Sequence, residues 1–359
     1  MIRYSMTDVI LSICIISCNQ CELLKRCFES VLLQELPFEY EIIMSDDHST
    51  DGTWELIEEY QKQYPGIVKG VHCYPEETNP TCNSERCGWN KLTAYLNARG
   101  KYFVNLDADD YLVGTDVYKR SIERLEEYPE CSMCFHKVWH LKDGDEFAKG
   151  YSYFEGVKDG SIYDARYIIE NNFLDINQGY VTRRNPEIDM RKKFGKYFDD
   201  RTITYCHLLY GNAIFLDSFG YTYIQYQGSI SNSSGKIQQS IESGMDLLVR
   251  IAQLPDFAGL FMKASIRPLA NVMRYRNSGV CLPNNKKMSY IEYKGWIFEY
   301  FRNEKHTLKD RVKACFLRYY LWMIWRMGQN VSSDFCRKLY GCVINKQEAN
   351  RMPIEYWKI

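Results

Sequence analysis

The sequence predicts an α/β fold, a mostly parallel sheet with helices on both faces, followed by a mainly helical C-terminal region. Three observations lead there. Through the first 140 residues, strand-like and helix-like runs alternate with short connections, the pattern that winds a parallel sheet between two helix layers. The first run, "VILSICIIS" (9–17), is apolar without alternation, as suits a strand covered on both faces. Beyond the polar stretch "GSISNSSG" (228–235), helical spacing dominates to residue 359. Residues 1–235 are therefore expected as one domain and 236–359 as a second, helical part.

The elements follow in order. After the first strand, "CELLKRCFESVLLQ" (21–34) spaces Leu23, Leu24, Cys27, Phe28, Val31 and Leu32 along one helical face. "YEIIMS" (40–45) is the next strand, and "DGTWELIEEYQKQYP" (51–65) a helix closed by Pro65. Ser49, Thr50 and Asp51 are each able to cap it. "IVKGVHC" (67–73) is a third strand. "WNKLTAYLNARG" (89–100) is a helix whose end, Gly100, is expected in the left-handed cap conformation. "KYFVNL" (101–106) is a fourth strand, "GTDVYKRSIERLEEYP" (114–129) a helix and "CSMCFHKVWHL" (131–141) a fifth strand. The pattern then loosens: helices over 163–172 and 199–211, strands at 178–184, "AIFLDS" and "YTYIQYQ".

Composition narrows the function classes. A net charge of -1 over 359 residues offers no global basic field for nucleic acid. The charge is uneven. From Lys286 onward there are 15 Lys and Arg against 7 Asp and Glu, a net of +8, while residues 1–285 carry 30 and 39, a net of -9. A basic, aromatic tail on an acidic body points to an anionic surface, a membrane first. No apolar run reaches the roughly 18 residues that span a bilayer. "ACFLRYYLWMIWRMG" (314–328) is broken by Arg318 and Arg326 and suits an interfacial helix or a buried one equally. The N-terminus reads as a strand with no leader cleavage site, so a cytoplasmic location with reduced thiols is expected. The pairs Cys18/Cys21 and Cys131/Cys134 lie over a hundred residues apart, and free thiols are a better reading than zinc.

The common phosphate cradles are absent: no G-x-G-x-x-G follows the first strand, and Gly228 to Gly235-Lys236 has the wrong spacing for a P-loop. Acids stand instead where a ligand of such a sheet lies, outside the carboxyl ends of the strands. "SDDHSTDGT" follows strand two with Asp46 and Asp47, and "DADD" follows strand four with Asp107, Asp109 and Asp110. A divalent cation held by one or two of these carboxylates, with its remaining positions on a diphosphate, offsets their repulsion and stabilises a diphosphate leaving group. A solvated turn is the competing explanation. A calcium loop is excluded because Leu112 and Tyr118 occupy the positions of its Gly and Glu.

Over residues 11–112 the series "LSICIISCNQCELLKRCFESVLLQ…YEIIMSDDHSTDGT…ARGKYFVNLDADDYL" resembles the family 2 glycosyltransferases. The resemblance implies the GT-A fold, a Rossmann-like sheet. It also implies a nucleotide-sugar donor, UDP-sugar favoured, with Mg²⁺ or Mn²⁺ and inversion at the anomeric carbon. It places Asp47 on the nucleoside base and Asp107, Asp109 and Asp110 on ribose and metal. Which of Asp107, Asp109 and Asp110 ligates the ion stays open. Ser17 and Asn19 stand in the family's Pro-Thr-Tyr-Asn segment, with Cys18 where the aromatic is usual. Trp89-Asn90 replaces an Arg-Asn pair, so Asn90 carries over and the basic partner falls to Arg86 or Lys91. The family's Glu-Asp base matches Asp199-Asp200. Asp200 is the expected base, with Asp199 next to it and a helix-capping pair as the alternative; His207 on the same helix is expected to pack rather than react.

The acceptor implied is a glycan or lipid-linked hydroxyl in bacterial surface polysaccharide assembly. The tail is left to a membrane, at the inner face of the cytoplasmic membrane, or to a homo-oligomer. A nucleotidyltransferase is disfavoured because "SCNQCE" lacks the glycine- and arginine-rich loop. A non-catalytic nucleotide- or sugar-binding relative is the rival from another class.

Overall fold

The computed structural model describes residues 9–73, 83–142, 147–150, 156–171, 179–188 and 200–225. The chain divides into two compact units, Met1–Ile230 and Ser231–Ile359, and the helices expected over 236–359 lie outside the described residues. In chain order the elements are β1 (Leu11–Ser17), α1 (Cys21–Leu32), β2 (Tyr40–Asp46), α2 (Thr53–Gln63), β3 (Val68–His72), α3 (Asn83–Asn97), β4 (Tyr102–Asp107) and β5 (Tyr111–Leu112). They continue with α4 (Val117–Glu127), β6 (Cys131–Lys142), β7 (Lys149–Gly150), β8 (Ile162–Tyr163), α5 (Ala165–Asn171), β9 (Val181–Arg183), α6 (Asp200–Leu208) and β10 (Asn212–Gln225).

The sheet runs β3-β2-β1-β4-β9-β6-β10-β5, with β7 on β6 and β8 on β10. Its first four strands are parallel, and short β9 reverses direction between β4 and β6. All seven residues of β1 are buried, which is why its run shows no polar alternation. Cys14 and Ile16 of β1 and Ile43 of β2 pack with Ala94 and Ala98 of α3. On α1, Leu24, Cys27, Phe28 and Val31 form the buried face, and Phe28 meets Tyr60 of α2 at 4.0 Å between ring centroids.

The structure revises three local expectations. α3 begins at Asn83 rather than residue 89. The two strands expected in 213–227 are one strand, β10, carried through bulges between Leu216 and Tyr221. Gly100 is not left-handed. Its lack of a side chain answers a close approach, since a Cβ there would lie 2.6 Å from both the Ser12 nitrogen and the Tyr102 oxygen.

At the start of the same strands sits a buried, fully engaged acid. Glu41 accepts from Ser12 Oγ (2.7 Å), the Arg99 N–H (2.6 Å) and Arg99 Nε (2.8 Å). A buried charge so paired ties the α3–β4 turn to β1 and β2 and leaves no acceptor for a ligand.

His207 packs, as expected. Its ring lies 5.1 Å from that of Phe103, and its Nδ1–H donates to the Ile203 carbonyl at 2.8 Å. Burial pushes its pKa down to about 4. The unfolded chain, with a pKa near 6.5, binds the proton more readily, so stability present above pH 6.5 drains away as pH falls to about 4. Urea unfolding at pH 7 and pH 4.5 is expected to show up to about 3 kcal/mol of this loss in the wild type. In His207→Phe it is expected to shrink; an unchanged loss would assign the acid limb to other groups.

Candidate active site

Parallel register brings the site together. Ser17 pairs with Asp46 and Ile16 with Asp107, so β1, β2 and β4 end level at one edge. The loops that follow are hydrogen-bonded to one another. Asn19, in the left-handed region at φ 53, accepts the Thr50 N–H at 2.8 Å and donates its own N–H to Ser49 Oγ at 2.7 Å. Asp46 accepts the Ser49 N–H at 2.9 Å and the Ser17 hydroxyl at 3.3 Å. Asp51 accepts from the Cys21 N–H (3.0 Å) and the Thr53 N–H (3.1 Å). It thereby satisfies free donors at the starts of both α1 and α2. Of the capping candidates, Asp51 serves α2; Ser49 and Thr50 are spent on the neighbouring loop. Ser17, Asn19, Asp46 and Asp51 thus build the edge.

Asp47 is engaged differently. Its Oδ2 takes an ion pair from Arg86 at 2.9 Å, while buried Oδ1 has no hydrogen-bond partner among the described residues. An unsatisfied buried acceptor costs about 1–3 kcal/mol, and a ligand N–H or O–H would relieve it. One turn along α3 from Arg86, Asn90 donates Nδ2–H to the Ser17 carbonyl at 2.9 Å and keeps its own Oδ1 without a partner. Positions i and i+4 share a helix face, so Arg86 and Asn90 stand on the same side of α3. Cys18, in the place of the family's aromatic, contacts the Asp47 carbonyl through Sγ at 3.5 Å.

Asp107, Asp109 and Asp110 present carboxylate oxygens all within 4.8 Å of one another, and their partners separate them. Asp110 is buried, accepting the Tyr221 hydroxyl and, at 2.8 Å, the Ile224 N–H from β10. Burial, then the charges of Asp109 and Asp107, lifts its pKa well above the usual range. Asp107 pairs with buried Lys91 at 3.3 Å. Asp109 has its main-chain carbonyl held by Arg26 Nη2 at 3.0 Å, and burial with the charge of Asp107 pushes its carboxyl up to about 7. A hard divalent cation takes such oxygen donors and removes their repulsion, so the acids fit one. Among the described residues no other group of three or more His, Cys, Asp or Glu assembles. The described cysteines, both C-x-x-C pairs included, are free thiols.

Residues 12–185 match the family model described as Glycosyl transferase family 2. That segment belongs to family 2. An uncharacterized protein of Mycobacterium tuberculosis is 28% identical to this chain over 179 residues, 50% of this chain and 48% of its own. A poly(ribitol-phosphate) beta-glucosyltransferase of Bacillus spizizenii is 34% identical over 95 residues, 26% of this chain and 14% of its own. The chain spans about half the length of the first of these relatives. S. aureus TarS 1-349 in complex with UDP-GlcNAc aligns at TM-score 0.56 and 16% identity, over 95% of this chain and 92% of that one. The fold of the family 2 segment is thus mixed α/β, of the GT-A type.

The structure of the family 2 segment brings Ser17, Asn19, Asp47, Arg86, Asn90, Asp107, Asp109 and Asp110 to one edge. α6 opens on Asp200; its side chain and all of Asp199 lie outside the described residues. Sequence reading missed the clamp from Tyr221 and Ile224 and the pairing of Lys91 with Asp107. Strand spacing gave no hint of the first, and the second puts a lysine where lysines are rarely buried.

Proposed function

We propose that the chain is an inverting, metal-dependent glycosyltransferase. It moves a sugar from a nucleotide-diphosphate sugar, UDP-sugar favoured, to a glycan or lipid-linked hydroxyl in bacterial surface-glycan assembly. One observation carries the reading: a half-satisfied Asp47–Arg86 pair and a crowded acid cluster stand together at the ends of β2 and β4, the two strands that flank β1. The named relative from B. spizizenii and the UDP-GlcNAc in the TarS structure support the chemistry.

In this reading Asp47 accepts the N–H of the base, Arg86 holds that carboxylate in place, and Asn90 and Asp107 meet the ribose. Asp109, with Asp107, holds Mg²⁺ or Mn²⁺, while Asp110 spends its oxygens on β10. The ion supplies charge stabilisation to the leaving diphosphate. Asp200, at the start of α6, takes the acceptor proton as the hydroxyl oxygen attacks the anomeric carbon opposite the diphosphate. Residues 1–235 form the catalytic domain, and 236–359 contact a membrane or a second copy from the cytoplasmic side. No helix among the described residues is long and apolar enough to cross a membrane.

The test has two parts. UDP titrated with Mn²⁺ should bind the wild type, and Asp47→Ala should bind it about tenfold or more weakly. Asp200→Asn should keep that binding and lose transfer by about 10²–10⁴-fold. Tight UDP binding by the wild type with no turnover across an acceptor panel would instead make the chain a non-catalytic partner.

A further inference from the structure

The acid cluster already contains a cation. Lys91 extends from α3, beside Asn90, with its side chain 3% exposed and Nζ 3.3 Å from Asp107 Oδ1. An ammonium this buried is stable only against a carboxylate. Asp110, in the same cluster, is engaged by β10, its oxygens accepting from Tyr221 and Ile224. Among the described residues, the charged groups around Asp109 are Asp107, Asp110, Lys91 of α3 and, at its main-chain oxygen, Arg26 of α1.

Resting on the donor-site reading above, we propose that Lys91 is a resident counter-ion. It holds Asp107 in the metal-free protein and leaves Asp109 as the carboxylate through which the divalent metal enters together with the donor diphosphate. Charge arithmetic gives the reason. Lys91 cancels one of the carboxylate charges that would hold a +2 ion, and that ion would also face its ammonium a few ångströms away. A diphosphate supplies the missing negative charge, so metal and nucleotide bind cooperatively. Lys91 is a positioning residue here: it acts on the metal through Asp107.

Mn²⁺ binding by electron paramagnetic resonance, with and without UDP, tests this on the full chain. The wild type is expected to bind Mn²⁺ alone weakly and more than about tenfold more tightly with UDP. Lys91→Met is expected to bind Mn²⁺ alone about tenfold or more tightly than the wild type, with less added by UDP. Metal-free Lys91→Met should melt lower, and either Mn²⁺ or a second substitution, Asp107→Asn, should restore it. If Lys91→Met does not fold without metal, the double variant carries the stability arm; should it melt far below the wild type, the assignment falls. Mn²⁺ affinity unchanged in Lys91→Met also overturns it, as does a loss of metal-free UDP binding alone, which would make Lys91 a phosphate ligand. If the wild type binds neither UDP nor Mn²⁺–UDP, the donor-site reading itself has failed.

Discussion

Asp109→Asn is expected to lower sugar transfer by about 10²–10³-fold and, in metal-free protein at pH 8, to raise the melting temperature. The first effect follows from losing the carboxylate best placed for the ion, whose charge stabilisation is worth several kcal/mol in the transition state. The second follows from linkage. Burial and the charge of Asp107 push the Asp109 carboxyl up to about 7, against about 3.9 in an unfolded chain. The folded protein therefore binds this proton more tightly, and its stability falls as pH rises from about 4 to about 7, the full cost being present above. Asn removes that cost, on the order of 2–4 kcal/mol, or roughly 5–10 °C for a domain of this size. At pH 4 the gain should vanish, and saturating Mn²⁺ should abolish it at pH 8. Calorimetry in chelator at both pH values checks this. An Asn variant that melts no higher than wild type at pH 8 would mean that Asp109 is comfortable without a metal, and the metal role would lose its physical basis.

The acids show how far sequence reading reaches. That Asp46, Asp47, Asp107, Asp109 and Asp110 lie at strand ends was legible, because β1, β2 and β4 announce themselves as apolar runs and parallel register makes their ends level. What each acid does was not, since that is decided by partners distant in the chain. Asp46 turns back into its own loop, Asp47 meets Arg86 on α3, and Asp110 meets Tyr221, 111 residues on. Two-residue strands such as β5, β7 and β8 are too short to display a period. The start of α3 was missed because "NSERCG" shows no apolar face, and β10 was split because its bulges interrupt the alternation at Asp217–Gly220. These are tertiary facts, and β10's are tied to the site, since its far end holds Asp110.

Gly100→Ala is the largest stability loss expected from a single methyl group. The residue ends the α3–β4 turn, where the sequence suggested a left-handed cap and a cost set by backbone strain. The structure gives another cause. The new Cβ would lie 2.6 Å from the Ser12 nitrogen and the Tyr102 oxygen and 2.8 Å from Ser12 Oγ. The two closest atoms are backbone of β1 and β4, so no rotamer change relieves the contact, and the strands must part. The Gly100 N–H also donates to Ser12 Oγ at 2.8 Å, and Ser12 in turn donates to Glu41. The shift would therefore open the buried Glu41–Arg99 network as well. About 3 kcal/mol or more is expected from such overpacking with a loosened charge pair, or roughly 6–12 °C of melting temperature. Gly66 is the control. It is left-handed at φ +84 with nothing within 4 Å of the added atom, so Ala there meets only conformational strain, about 1–2 kcal/mol. Thermal melts that rank Gly66→Ala as the more damaging would show that β1 and β4 yield easily. The level strand ends bearing Ser17 and Asp107 would then owe their alignment to something other than this contact.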